Sequence, residues 1–125
     1  MFICTQGAEG RYELESEIPN PFFIEELFMG ENHFAFCDQG GTLKIFNRSD
    51  FSLLQEINSS AQIIKAVSSS SDFSTLAAGG LDKRVRIYSQ HGGLLTLEQI
   101  LSFNFSVSLV KVLGANIVVG GFSGK

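Results

Sequence analysis

Two stretches of this chain, 42 residues apart, carry the same pattern, and that repetition limits the possible folds more than any single motif. "LAAGGLDKRVRIYS" (Leu76–Ser89) lies on "FAFCDQGGTLKIFN" (Phe34–Asn47) with Val85 on Leu43, Arg86 on Lys44, Ile87 on Ile45 and Tyr88 on Phe46. Further on, "IVVGGFSGK" from Ile117 matches "LAAGGLDKR" at an offset of 41, which puts Gly120 and Gly121 on Gly79 and Gly80. A chain that repeats at about forty residues builds one supersecondary unit several times, and stacked units bury each other's apolar faces.

The segments between these matches repeat as well. "LLQEI" (Leu53–Ile57) lies on "TLEQI" (Thr96–Ile100), with a looser copy, "LESEI", at Leu14–Ile18. A third apolar run recurs as "FFIEELFM" from Phe22, "QIIKAVSS" from Gln62 and "VSLVKVLG" from Val107. Each unit therefore reads as four short strands separated by turn residues, among them Met29–Asn32, the serine run Ser68–Ser71 with Asp72, and Gly114–Asn116. No stretch of useful length has the 3.6-residue apolar period of a helix, and only Glu25–Phe28 passes locally for one. Several strands are apolar on both faces, as in "IVV" and "LAA", which fits sheets stacked face to face better than a sheet with one wet face.

These residues resemble the WD-repeat beta-propeller family, whose repeats run ~40–45 residues with four strands per blade. Asp82 matches the family's Asp in the turn after the second strand. Tyr88-Ser89, Phe46-Asn47 and Cys4-Thr5 stand where the family has Trp-Asp, and Asn20-Pro21, Ser59-Ser60 and Phe103-Asn104 stand near the place of its Gly-His. No Trp occurs, so the family's hydrogen-bond network through each blade is not expected in its usual form. The resemblance implies an all-β fold, a partial propeller of about three four-stranded antiparallel blades. Residues 1–18 give the outer strands of a first blade, 22–57 a second blade, 62–101 a third, and 106–125 the inner strands of a fourth. Closed propellers use ~4–8 blades. The chain is therefore expected to be a fragment or part of a larger propeller, with self-association through open blade edges as the other way to cover those ends.

Composition narrows the function classes. A net charge of −4 argues against nucleic acid, since phosphate binding needs clustered Lys and Arg in excess of carboxylates. No stretch approaches the ~20 apolar residues of a membrane helix. The N-terminus has no basic region, and its apolar run is too short for a signal peptide. Cys4 and Cys37 form no metal or disulfide framework, in keeping with a reducing compartment. The expectation is a soluble cytoplasmic protein.

Catalytic chemistry finds little support. His33 at a strand start and His91 in a Gly-Gly turn occupy different corners of a blade and read as surface or strand-end residues. No nucleophile elbow or phosphate loop is present, and the glycines suit tight turns. Glu13, Glu15 and Glu17 alternate along one strand and read as a solvated outer edge. No catalytic residue, cofactor or metal site is assigned. An enzyme or cofactor-binding propeller working through its central channel is the alternative, and only Glu25, Glu26 and Lys65 offer it charge on inner strands. The first expectation is a protein–protein interaction scaffold whose loops face other proteins. Loops between second and third strands offer Asp38, Gln39, Lys83, Arg84 and Phe122, with Arg86 beside them, and loops entering first strands offer Asn20, Ser59 and Asn104. Gly79, Gly80 and Asp82 are read as structural turn residues, the carboxylate accepting bonds from turn amides.

Overall fold

The computed structural model describes residues 1–122, and every regular element in them is a strand. β1 (Phe2–Gln6) and β2 (Tyr12–Glu17) form an antiparallel pair. β3 (Ile24–Met29), β4 (His33–Asp38), β5 (Thr42–Asn47) and β6 (Leu53–Asn58) form a four-stranded sheet in chain order. β7 (Ile64–Ser69), β8 (Thr75–Gly80), β9 (Arg84–His91) and β10 (Leu94–Ser102) form the next, and β11 (Ser106–Leu113) pairs with β12 (Asn116–Phe122). All neighbours are antiparallel, as four strands joined by short turns must be. The fold is thus an all-β, partial propeller-like stack without a closed ring.

The sequence repeat reappears in backbone detail. The first-to-second strand pairing shifts register between Ile24 and Glu26, between Ile64 and Ala66, and between Val107 and Leu109. The third-to-fourth pairing shifts next to Cys4, next to Phe46 and between Leu97 and Gln99, opposite Tyr88. A bulge adds a residue on one strand and turns the following side chains to the other face. One strand can therefore serve two cores. Ile64 and Val67 face the second sheet, whereas Ala66 faces the last pair.

Three apolar layers hold the stack. Met1 and Ile18 cover Phe34, Phe36 and Phe46 on one face of the second sheet. The opposite face gives Ala35, Cys37, Leu43 and Ile45 to a layer shared with Val67, Leu76, Ala78, Tyr88 and Leu95 of the third. Ala77 and Val85 then meet Val107 and Val110 of the last pair. Gln55 fastens the second layer at its outer margin: its side chain donates to the Leu95 carbonyl at 2.8 Å and accepts from the Leu95 amide at 2.9 Å.

Glu25–Phe28 is strand, like its repeat-mates, because its neighbours in the sheet take up its backbone groups. Three local expectations are corrected. Gly79 and Gly80 belong to β8 and not to the turn. Glycine is required there by close approach, since a Cβ on Gly80 would lie 2.1 Å from the Ile63 carbonyl oxygen and one on Gly79 2.8 Å from Val107. Ser68 and Ser69 are buried in β7, so the polar turn begins only after them. Phe22 and Phe23 precede β3 and are exposed, 51 % and 77 %.

The two thiols sit in opposite environments. Cys4 is exposed, and Cys37 is buried with its pKa pushed up to about 12 by desolvation, helped by the charge of Glu26. Because the thiolate is the reactive form, a native chain titrated with a thiol reagent at neutral pH is expected to give one fast equivalent, at Cys4. The second appears only on unfolding, and two fast equivalents would contradict the buried placement of β4.

Candidate interaction rim

The loops entering the first strands and the turns joining second to third strands meet at one end of the blades, tied in a chain of backbone bonds. Gln39 N–H donates to Phe23 at 2.9 Å, the Gly41 carbonyl accepts from both Ser59 and Ser60, Leu81 donates to Ile63 at 3.0 Å, and Phe103 donates to Lys83 at 2.8 Å. Two polar clusters of the same design lie beneath this rim. In the second sheet, Asp38 Oδ1 accepts from the Gly40 and Thr42 amides at 3.0 and 3.1 Å and its Oδ2 from Asn20 at 3.1 Å, while Lys44 Nζ donates to Asn20 Oδ1 at 2.6 Å. In the third, Asp82 accepts from the Arg84 amide, from Ser60 Oγ at 3.0 Å and from Arg86 Nη1 at 2.6 Å, and Ser59 and Tyr88 share a hydroxyl bond of 2.5 Å. Each cluster joins an approach loop, a carboxylate (Asp38 at the end of β4, Asp82 in the turn after β8) and a third-strand cation.

These contacts relocate several expected surface residues. Asp38 is buried, 1 % exposed, and its carboxylate is spent inside the fold, which corrects its placement among partner-facing residues. Arg86 is paired with Asp82, both side chains 13–14 % exposed, so its charge points into the cluster rather than outward. Asn20 and Ser59 are half-buried and engaged below the rim. Gln39, Lys83, Arg84 and Asn104 are exposed on it. Lys83 sits at the repeat position of Gly41 and shares its left-handed backbone, φ 64° against 79°. Phe122 ends β12, and its side chain lies outside the described residues, as do residues 123–125.

Phe22 and Phe23 escaped the sequence reading because they open an apolar run. Asn20-Pro21 just before them was the available signal, since proline marks loop geometry before a strand. With Asn20, Pro21 and Gln39 they line a cleft of about 300 Å³. A second cleft, about 550 Å³, opens at the other end of the blades between Glu31, Asn32, His33, Asn47, Arg48 and Ser49, where Arg48 is already held by the Gly30 carbonyl at 2.8 Å.

On the inner strands, Lys65 Nζ stands 3.3 Å from Glu25 Oε1, which also accepts from Gln39 at 2.9 Å. The Gln39 bond leads in lowering the Glu25 pKa; burial opposes it and Lys65 adds to it. Glu26 reaches the Val67 amide at 3.4 Å. The three charged residues of the supposed channel therefore tie one blade to the next. Among the described residues no group of three or more His, Cys, Asp and Glu could hold a metal ion, and no helix is long and apolar enough to cross a membrane.

Burial alone would raise the Asp82 pKa, but the Arg86 and Ser60 hydrogen bonds and the Arg86 charge outweigh it and hold the carboxyl below its ordinary value. A depressed carboxylate pKa gives stability that is present above the unfolded value and lost as pH falls through the folded one. Asp82→Asn is therefore expected to cost about 2 kcal/mol at neutral pH. That deficit should shrink as denaturant melts are taken through pH 4 and below, and a deficit constant with pH would rule out the charged role.

Fold and rim together define an all-β chain of stacked four-stranded units with a loop-built surface at one end. Compared with known proteins, the chain matches no protein-family model and no curated protein.

Proposed function

We propose that this chain is a WD-repeat-like propeller segment that acts as a protein–protein interaction scaffold, and that the rim described above faces its partners. One observation carries the reading: exposed aromatic and cationic side chains, Phe22, Phe23 and Lys83 on loops and Arg84 at the start of β9, stand over the Asp38 and Asp82 clusters, which fix them from beneath. Function concentrates on loops held by a rigid scaffold, and ordered loops lose less entropy on binding. Aromatic and Arg side chains are also those enriched at protein interfaces. Glu25, Glu26 and Lys65, the charged residues considered for a catalytic channel, are engaged between blades, which favours binding over chemistry. The proposed partners are other proteins bearing acidic and apolar groups, met in the cytoplasm.

The test compares proteins captured by the wild-type chain with those captured by Phe22→Ala/Phe23→Ala and by Lys83→Glu/Arg84→Glu, quantified by mass spectrometry at low and high salt. A Glu13→Gln/Glu15→Gln/Glu17→Gln variant on the outer strand is the control. Partners lost with the rim variants and kept with the control are expected, the charge-reversal loss being larger at low salt. Equal capture by all four proteins would remove the rim from function.

A further inference from the structure

Two turns carry the same four residues, Ser49-Asp50-Phe51-Ser52 between β5 and β6 and Ser71-Asp72-Phe73-Ser74 between β7 and β8. They fold alike although they join different strands of the unit. Asp50 and Asp72 each accept from the amide of the serine two residues on at 3.0 Å, and Phe51 and Phe73 each take a left-handed backbone, φ 61° and 58°. The likeness ends at the first hydroxyl. Ser49 Oγ donates to Asn47 Oδ1 at 2.7 Å, whereas Ser71 is exposed and its Oγ has no hydrogen-bond partner among the described residues. Every other described serine outside the strands has one: Ser52 with Asp50, Ser59 with Tyr88, Ser60 with Asp82, and Ser70 and Ser74 with each other.

We propose that Ser71 is a phosphoacceptor and that Arg48 receives its phosphate. The backbone of Ser71 is held while its side chain is free, since its carbonyl accepts from the Glu31 amide at 3.0 Å. Arg48 lies on the other side of the same turn. Its Nη1 donates to the Gly30 carbonyl at 2.8 Å, and a Cβ on Gly30 would stand 2.8 Å from the Ser71 carbonyl oxygen, so guanidinium and serine flank one residue. No carboxylate pairs with Arg48 among the described residues. Asp72, next to Ser71, has its carboxylate turned back to the Ser74 amide and the Ser70 hydroxyl. In the transfer, the Ser71 oxygen attacks the γ-phosphorus of magnesium-bound ATP held by a serine kinase. The bond to the β–γ bridging oxygen breaks, ADP leaves with that oxygen, and the hydroxyl proton passes to a carboxylate of the kinase. The product carries a charge of about −2 and three acceptor oxygens, which suit an unpaired guanidinium. The new pair joins the β5–β6 turn of one sheet to the β7–β8 turn of the next.

The twin turn supplies the control. A serine kinase is chosen that modifies free peptides of residues 46–55 and 68–77 at Ser49 and Ser71 with equal rates; the folded full chain is then treated with it and magnesium ATP, and the sites are mapped by mass spectrometry. Ser71 is expected to react about tenfold faster than Ser49, whose hydroxyl must first give up its bond to Asn47. Equal rates, or phosphate on other serines in place of Ser71, would overturn the proposal. The second measurement uses the full chain with phosphoserine encoded at position 71. Its melting midpoint is expected to rise by a few degrees, and Arg48→Gln to remove that rise while changing the unmodified chain little. No rise, or a rise that persists in Arg48→Gln, would show that Arg48 does not receive the phosphate.

Discussion

Phe73→Ala is expected to cost about 3–5 kcal/mol, the range for emptying a large aromatic site in a core, and to lower the melting midpoint by roughly 10–20 °C. Phe73 stands in the turn between β7 and β8, is 2 % exposed, and takes a left-handed backbone at φ 58°. Its ring reaches across to the second sheet, 5.8 Å from Phe28 and 5.3 Å from His33. It also fills the space over Gly30, where a Cβ would come within 2.5 Å of it. The loss should be local to the junction, since stacked units are held by nearest-neighbour interfaces. Hydrogen exchange is expected to speed up in β4 and β7 before β12. Gly30→Ala supplies the check by double-mutant cycle: it should be costly in the wild type and cheaper beside Phe73→Ala, the remaining cost coming from the Ser71 carbonyl oxygen 2.8 Å from the same Cβ. Additive costs would show that the ring does not fill that site.

Gly41→Ala is expected to cost about 3–4 kcal/mol through two separable effects. Gly41 has φ 79°, where a Cβ costs roughly 1–2 kcal/mol. The added carbon would also lie 1.9 Å from the Ser60 carbonyl oxygen, so the loop that sends both the Ser59 and Ser60 amides to the Gly41 carbonyl must move. Forcing extra atoms into a packed site costs about 1–3 kcal/mol more. Gly92 isolates the first effect: its φ is 59° and a Cβ there would meet nothing within 4 Å. Gly92→Ala should therefore cost only about 1 kcal/mol. Equal denaturant midpoints for the two variants would show that the Gly41–Ser60 approach is not what demands glycine.

The repeat was legible because each unit solves the same packing problem with the same residue classes at the same spacing. The matched positions Phe46 and Tyr88 are both buried, each in one of the apolar layers. The direction in which a polar side chain points was not legible. Asp38 ends β4 and Gln39 opens the turn beside it, yet Asp38 is 1 % exposed and Gln39 is on the surface, because Asp38 finds the Gly40 and Thr42 amides and Asn20 within reach. Phe22 and Phe23 open an apolar run that reads as strand, whereas β3 begins only at Ile24 and leaves them outside.

By itself the sequence determined the four-strand unit and its period, since these follow from alternation and turn chemistry within some forty consecutive residues. Tertiary structure alone decided what passes between units. The bulges at Glu26, Ala66 and Leu109 let one strand face two layers; Asp82 joins Ser60 across 22 residues, and Gln55 joins Leu95 across 40. The reason is physical: pattern within a segment reports which faces are apolar, but the partner of a polar group is set by which distant backbone the stacking brings within about 3 Å of it.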